Sequence, residues 1–163
     1  MTDVTITALP PAPLHVFEIW GNPAAVAKRF KEACGFELPN MGRSGGSDAL
    51  RLIRFEPTVW LVEGGASTLA DILADDGALT AIGGGIVRVR LSGSGWRTLL
   101  LEGGVFDAEN PNFASGCSVA TIIDHVNVRL HVVDETTCVA YVPLSYSQGL
   151  MHFWEQAALN LAI

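Results

Sequence analysis

Strict alternation of apolar residues with arginines marks the run IVRVRL at residues 86–91. Successive side chains of a β-strand point to opposite faces, so this run predicts a strand with its valines and leucine on a buried face. Its two arginines lie on the other face. Glycines occupy positions 83–85 before the strand, and the segment 94–101 after it predicts a short helix.

The chain beyond this strand predicts more strands and a terminal helix. Residues 119–133 are rich in Val and Ile and are interrupted by a polar segment, and residues 138–142 predict a further strand. Ser145 with Gln148 three residues later is a capping-box pattern that predicts the start of a helix. The apolar residues of this helix fall on one stripe, which predicts docking on the core. They are Leu150, Phe153, Trp154, Ala157, Ala158 and Leu161.

The first half predicts a similar mixture of elements. Residues 14–20 predict a well-buried strand whose apolar face includes Trp20. Asn22 offers an N-cap oxygen to a following helix that ends at Gly35. Residues 50–55 and 58–62 predict a β-hairpin. The order of elements therefore predicts an α+β fold in which helices pack on a mainly antiparallel sheet.

These elements predict a single domain over residues 1–163. The finer prediction divides it into an N-terminal half, residues 1–76, and a ferredoxin-like half, residues 77–163.

Composition narrows the classes of function. Hydrophobic residues make up 49% and charged residues 17% of the chain, and the mean hydropathy is +0.34, which excludes disorder and predicts apolar surface. A partner subunit is the commonest cover for such surface, although a Gly- and Ala-rich composition also raises these averages. The net charge of -7 and the dispersed Lys and Arg residues disfavour nucleic-acid binding.

Membrane insertion and secretion are also disfavoured. No apolar run approaches the roughly 20 residues that cross a bilayer, and the start of the sequence lacks the pattern of a signal peptide. Cys34, Cys117 and Cys138 are odd in number and widely spaced, which argues against a disulfide framework and a zinc site. We expect a cytoplasmic protein that binds neither membrane nor nucleic acid.

Candidate chemical motifs are each weaker than their structural alternatives. The turn GSGWRT at residues 93–98 resembles a dinucleotide-binding turn, but Thr98 replaces the third glycine and Trp96 crowds the phosphate position. His125 and His131 lack a carboxylate at ligand spacing. Asp124 could form a triad with His125 and a serine, Ser115 or Ser118, but adjacent strand residues point to opposite faces. We therefore predict no catalytic, cofactor-binding or metal-binding residue.

Several motifs occur in an order shared with a known family. They are VRVRLSG (87–93) with Leu99-Leu100, GVFD (104–107), PNF (111–113), TIIDHV (121–126), and VPLS (142–145) followed by Trp154. In these motifs the chain resembles the gamma subunit of heterotetrameric sarcosine oxidase and of related enzymes that oxidise N-methylated amino acids. The resemblance implies a fold similar to the folate-binding domains of aminomethyltransferases and the tRNA-modifying GTPase.

The resemblance also implies partners and cofactors. It implies a non-catalytic subunit in a complex with alpha, beta and delta subunits. FAD, FMN, NAD, tetrahydrofolate and zinc belong to those other subunits in this family. The complex would oxidise an N-methylated amine at FAD and pass the one-carbon unit to tetrahydrofolate.

Two other classes of function remain open. The chain could be a free-standing folate-binding or one-carbon transfer protein, with Glu102 or Asp107 as the acidic residue that a pterin ring requires, or it could be an assembly scaffold. For the subunit hypothesis, Trp96 and Phe113 are the predicted interface anchors, because each lies beside a predicted loop. The alternative is that both pack in the domain's own core.

Overall fold

The chain folds into two compact α+β units. A computed structural model describes residues 3–161, whose strands form two five-stranded antiparallel sheets with four α-helices. One unit, the insert unit, is Ala12–Gly83, and the other, the flanking unit, is formed by the chain before Ala12 and after Gly83. The predicted fold class is confirmed. None of the helices within residues 3–161 is long and apolar enough to cross a membrane.

The elements follow one another in this order. They are β1 (Thr5–Ala8), β2 (Leu14–Ile19), α1 (Pro23–Cys34), β3 (Ser44–Gly46), β4 (Leu50–Glu56), β5 (Val59–Gly64), α2 (Leu69–Leu73), β6 (Gly77–Ala81), a 3-10 turn (Gly83–Gly85), β7 (Ile86–Ser92), α3 (Trp96–Leu101), β8 (Ser118–Ile123), β9 (Val126–Asp134), β10 (Thr137–Pro143) and α4 (Leu144–Leu161).

The sheet of the flanking unit has the order β1-β7-β10-β9-β8. The alternation along β7 is as predicted, since Val89 and Leu91 are fully buried and Arg90 is exposed. Residues of α3 and α4 join the same core as these two side chains, so both helices cover one face of the sheet. The buried stripe of α4 includes Leu150 and Trp154, which confirms that the terminal helix is docked.

Tight turns connect the last three strands of this unit. Asp124 and His125 join β8 to β9, with φ angles of 46° and 64°, the left-handed pair that suits the twist of a two-residue hairpin. Strands β9 and β10 are joined through Glu135 and Thr136, without a helix. A ferredoxin-like unit requires a helix between its third and fourth strands, so the arrangement observed is a meander with helices after β7 and β10.

The sheet of the insert unit has the order β3-β4-β5-β2-β6, and α1 and α2 pack on it. The predicted hairpin is β4 and β5. The core of the insert unit contains Phe17, Phe30 and Trp60. The Phe17 ring meets the other two edge to face, with its centroid 6.1 Å from that of Phe30 and 6.0 Å from that of Trp60. Aromatic pairs in this geometry add to the free energy of apolar burial.

Three local predictions are wrong for identifiable reasons. Asn22 does not cap α1, because its backbone is left-handed and its side chain donates to the Asp76 carboxylate instead. Ser145 cannot form a capping box, because α4 already begins at Leu144. Trp20 follows the end of β2 and is 64% exposed, so it is not part of the buried face of that strand.

The units also differ from the predicted halves. The boundary lies at Gly83, seven residues after the predicted division at 76/77, and β1 belongs with the second half of the sequence. The physical reason is backbone pairing: β1 is antiparallel to β7, with Thr5 opposite Ser92 and Ala8 opposite Val89. The two halves of the sequence are therefore not the two packing units.

Trp154 provides a test of this core. It is fully buried, and its Nε1 has no hydrogen-bond partner among the described residues. Trp154→Ala should lower the free energy of unfolding by about 3–5 kcal/mol, because it leaves a cavity. Trp154→Phe should cost far less than Trp154→Ala, because both variants remove the buried, unpaired donor but the phenyl ring leaves a much smaller cavity. Chemical denaturation measures both, and equal losses would contradict this account.

Candidate functional site

The predicted interface anchors lie in the core of the flanking unit. Trp96 is 1% and Phe113 6% exposed, and their ring centroids are 6.4 Å apart. The Trp96 Nε1 donates to the Glu135 carbonyl oxygen at 3.0 Å, and the Arg97 guanidinium lies 4.2 Å from the Trp96 ring centroid. Side chains this buried offer a partner little surface. The structure therefore favours the alternative in which both residues pack in their own domain.

The glycine turn before α3 has its amides engaged. The Gly93 N–H donates to the Thr136 carbonyl oxygen at 2.9 Å, and the Gly95 N–H donates to the Asp3 carbonyl oxygen at 2.9 Å. A phosphate-binding turn must direct such amides at its ligand. This turn instead ties the start of the chain and the β9–β10 turn to α3.

The histidines and serines considered for catalysis are not brought together. His125 is exposed in the β8–β9 turn, whereas His131 is buried and pairs with Ser118 at the other end of β8. Five residues of strand separate Ser118 from that turn, about 17 Å. Ser115 donates its hydroxyl to the Val133 carbonyl oxygen at 2.9 Å. These residues therefore form no triad.

The cysteines and metal ligands are similarly dispersed. Burial raises the pKa of the Cys138 thiol to about 12, so it stays protonated and unreactive. The Cys117 thiol contacts the Asn112 carbonyl oxygen at 3.3 Å. Within residues 3–161, no group of three or more His, Cys, Asp or Glu side chains could hold a metal ion.

The two acidic residues considered for pterin binding are both exposed. Glu102 follows the last residue of α3, and the Asp107 carboxylate accepts a hydrogen bond from the Glu109 N–H at 3.1 Å, which is a local turn. A pterin-binding acid must lie in a pocket that removes it from water. Neither position has that setting.

A different cluster, in the insert unit, holds a tryptophan side chain at the surface. Trp20 is 64% exposed, yet its Nε1 donates to the Asp75 carbonyl oxygen at 3.1 Å. The backbone N–H groups of Trp20 and Gly21 both donate to the Asp76 carbonyl oxygen, at 2.9 and 3.1 Å. One hydrogen bond from the indole and two from the neighbouring backbone thus hold this residue at the surface. We call Trp20, Asp75 and Asp76, together with the Asn22 and Arg29 side chains that bind Asp76, the Trp20 platform.

The Asp76 carboxylate organises the Trp20 platform. It accepts hydrogen bonds from Arg29 Nη2 at 2.9 Å and from Asn22 Nδ2 at 2.8 Å. Arg29 also donates its Nε–H to the Ile72 carbonyl oxygen at 2.8 Å, which links α1 to α2. Hydrogen bonds from Arg29 and then from Asn22, with the charge of Arg29, lower the pKa of Asp76 below its usual value. The charged carboxylate therefore stabilises the junction.

Backbone strain accompanies this arrangement. Asn22 has φ 46°, and Ala74 has φ 49° with ψ -123°, a combination that a residue with a Cβ rarely adopts. Such residues cost about 1–3 kcal/mol each and concentrate at functional sites. The chain approaches itself closely here, since a Cβ on Gly77 would lie 2.0 Å from the Glu18 carbonyl oxygen.

A shallow groove between α1 and α2 lies beside the Trp20 platform and shares Arg29 with it. Its volume is about 440 Å³. Glu32 and Asp71 at this groove are exposed, as is Asp75, whose backbone oxygen accepts the indole hydrogen bond, and none of them forms a salt bridge within residues 3–161. The groove is lined by Arg29, Glu32, Ala33, Thr68, Asp71 and Ile72. Because Arg29 is paired with Asp76, the other named side chains, Glu32, Asp71 and Asp75, give this group of residues a net negative charge.

Solved structures place the fold among known proteins. The chain is similar to the heterotetrameric sarcosine oxidase from Corynebacterium sp. U-96 in complex with pyrrole 2-carboxylate, with a TM-score of 0.88 and 15% identity over 98% of this chain and 86% of that chain. It is also similar to the glycine cleavage system aminomethyltransferase T from Bartonella henselae, with a TM-score of 0.63 and 14% identity over 94% of this chain.

The chain spans 45% of the aminomethyltransferase. The similarity of the fold to aminomethyltransferases, which the sequence motifs implied, is confirmed. No family model matches the sequence, and neither does any curated protein. At these identities the likeness establishes the fold alone.

The role of Asp76 can be tested through pH. Because its pKa is lowered in the folded chain, the stability it contributes is present above the unfolded carboxyl pKa of about 4 and is lost as pH falls through the folded pKa. The melting temperature of the wild type should therefore fall more steeply below about pH 4 than that of Asp76→Asn. Arg29→Met should flatten the profile in the same way. Parallel profiles for all three proteins would contradict the assignment.

Proposed function

We propose that this chain is a gamma-type, non-catalytic subunit of a heterotetrameric complex of the sarcosine oxidase type. The observation that carries the proposal is the match in fold over 98% of this chain at a TM-score of 0.88. The match extends over both units, so it concerns the whole arrangement of strands and helices within each of them. The ordered motifs from residue 87 to Trp154 support the same assignment independently.

In this proposal the chemistry belongs to the partner subunits. The alpha, beta and delta subunits would hold FAD, FMN, NAD, tetrahydrofolate and zinc, and this chain would support their assembly in the cytoplasm. The complex would oxidatively demethylate an N-methylated amino acid or amine and transfer the one-carbon unit to tetrahydrofolate. This chain contributes a folded surface on which the larger subunits dock.

The second candidate is a free-standing folate-binding or one-carbon transfer protein. The fold shared with an aminomethyltransferase favours it. Two observations count against it: the chain spans 45% of that enzyme, and the candidate acids Glu102 and Asp107 are exposed. Isothermal titration of the purified chain with tetrahydrofolate separates the candidates, because a stoichiometric, saturable heat would support the free-standing protein.

Purification of the isolated chain tests the division of labour. We expect a colourless protein that retains no flavin and does not oxidise sarcosine, because the chemistry is assigned to the other subunits. The visible spectrum near 450 nm and oxygen uptake with sarcosine are the measurements. A yellow chain that turns over substrate would show that the reaction occurs in this subunit.

Co-expression tests the assembly itself. Co-expressed with the alpha, beta and delta subunits of such a complex, the chain should elute from size exclusion together with them as one species. Permanent subunit interfaces bury about 2,000 Å² or more, so the complex should survive dilution. The subunit hypothesis is wrong if the other three form an active enzyme while this chain elutes alone near its own 17.3 kDa.

A further inference from the structure

We infer that the Trp20 platform and the adjoining α1–α2 groove form the surface through which this chain docks on a larger subunit. That subunit would present an apolar pocket for the indole with lysine or arginine side chains at its rim. The inference rests on the proposed function, and it specifies which face of the insert unit is used. It also replaces Trp96 and Phe113, whose burial removes them from any such contact.

The Trp20 side chain is preorganised for binding. An exposed tryptophan normally loses rotamer freedom when a partner binds it, and that loss weakens binding. Here the indole N–H already donates to the Asp75 carbonyl oxygen at 3.1 Å, and the backbone of Trp20 is bonded to Asp76. The hydrogen bond therefore restrains the ring before contact. Tryptophan is also among the residue types that contribute most to binding at interfaces.

The junction that holds Trp20 in place carries strained backbone. Ala74 and Asn22 both hold strained backbone conformations in the two segments that the Asp76 contacts join. Strain of this kind persists where the surrounding structure enforces it, and it clusters at functional sites. A loop whose sole task was to connect β2 to α1 would not require an exposed indole bonded across 55 residues of sequence.

The charges near the groove indicate the chemistry of the partner. Glu32 and Asp71 line the groove, and Asp75 follows α2 and accepts the indole hydrogen bond through its backbone oxygen; none of the three forms a salt bridge in the described part of the chain, and Arg29 is neutralised by Asp76. A second copy of this chain would place carboxylates against carboxylates across a two-fold axis, and the chain already carries a net charge of -7. A partner with a basic rim is complementary to this surface.

Binding of variants to the other subunits tests the inference. The complex of alpha, beta and delta subunits is immobilised, and the Kd of the full chain is measured by biolayer interferometry at low and high salt. Trp20→Ala should raise Kd at least about 30-fold, which corresponds to about 2 kcal/mol. Tyr146→Ala is the matched control, because Tyr146 is 58% exposed in the flanking unit, and it should change Kd less than about 3-fold.

Two further variants separate the indole from the charges. Trp20→Phe keeps an aromatic ring but loses the bond to the Asp75 carbonyl oxygen, so its Kd should lie between those of the wild type and Trp20→Ala. Neutralising Glu32, Asp71 and Asp75 together, as Gln, Asn and Asn, should slow association and reduce its dependence on salt, because these charges attract the basic rim at long range. Circular dichroism and melting temperature confirm that each variant is folded.

The outcomes are distinguishable. If the wild type and Trp20→Ala bind equally well, this inference is overturned and the proposed function stays in place. Wild type that binds none of the three subunits overturns both. Analytical ultracentrifugation would also reveal self-association that depends on concentration. If Trp20→Ala abolishes such self-association, the surface binds a second copy of this chain, and the inference is overturned.

Discussion

The pairing of β7 with two strands is the constraint on which the architecture depends. Strand β7 is antiparallel to β1 on one side and to β10 on the other. The first pairing ties the chain before Ala12 to the chain after Gly83, and the second aligns β10 so that α4 follows directly. The two ends of the segment between these parts, Ala12 and Gly83, must therefore lie close together. The segment can do so because it folds on its own core as the insert unit.

Strong periodicity made much of this fold predictable. The alternation of β7, the three C-terminal strands and the stripe of α4 each repeat a local pattern over several residues, and all are present. Strand β1 alternates only briefly, through Val4, Ile6 and Ala8, and β6 carries no such pattern. The first is set by its pairing with β7 and the second by its pairing with β2. The division into units was not predictable for the same reason. Long-range pairing leaves no trace in a local window of sequence.

The four tryptophans show why the exposed site could not be found from sequence. The indoles of Trp20, Trp60 and Trp96 each donate to a backbone carbonyl oxygen, of Asp75, Pro39 and Glu135 respectively. Sequence context was similar for Trp20 and Trp96, since each lies at a strand-to-helix junction beside a glycine. Their different exposure depends on whether apolar rings lie beyond the indole. Phe113 packs against Trp96, whereas Trp20 projects past its hydrogen bonds into solvent.

The presence of two cores in one short chain also explains its high hydrophobic content. Small folding units bury a smaller share of their surface than large ones, so each requires a high apolar fraction to be stable. The chain has two such units in 163 residues, each with its own buried cluster. Much of the 49% hydrophobic content is therefore used inside the chain. Apolar composition alone therefore does not indicate a partner. A partner is indicated instead by Trp20, a large side chain that remains outside both cores and is held there by a hydrogen bond to the Asp75 carbonyl oxygen.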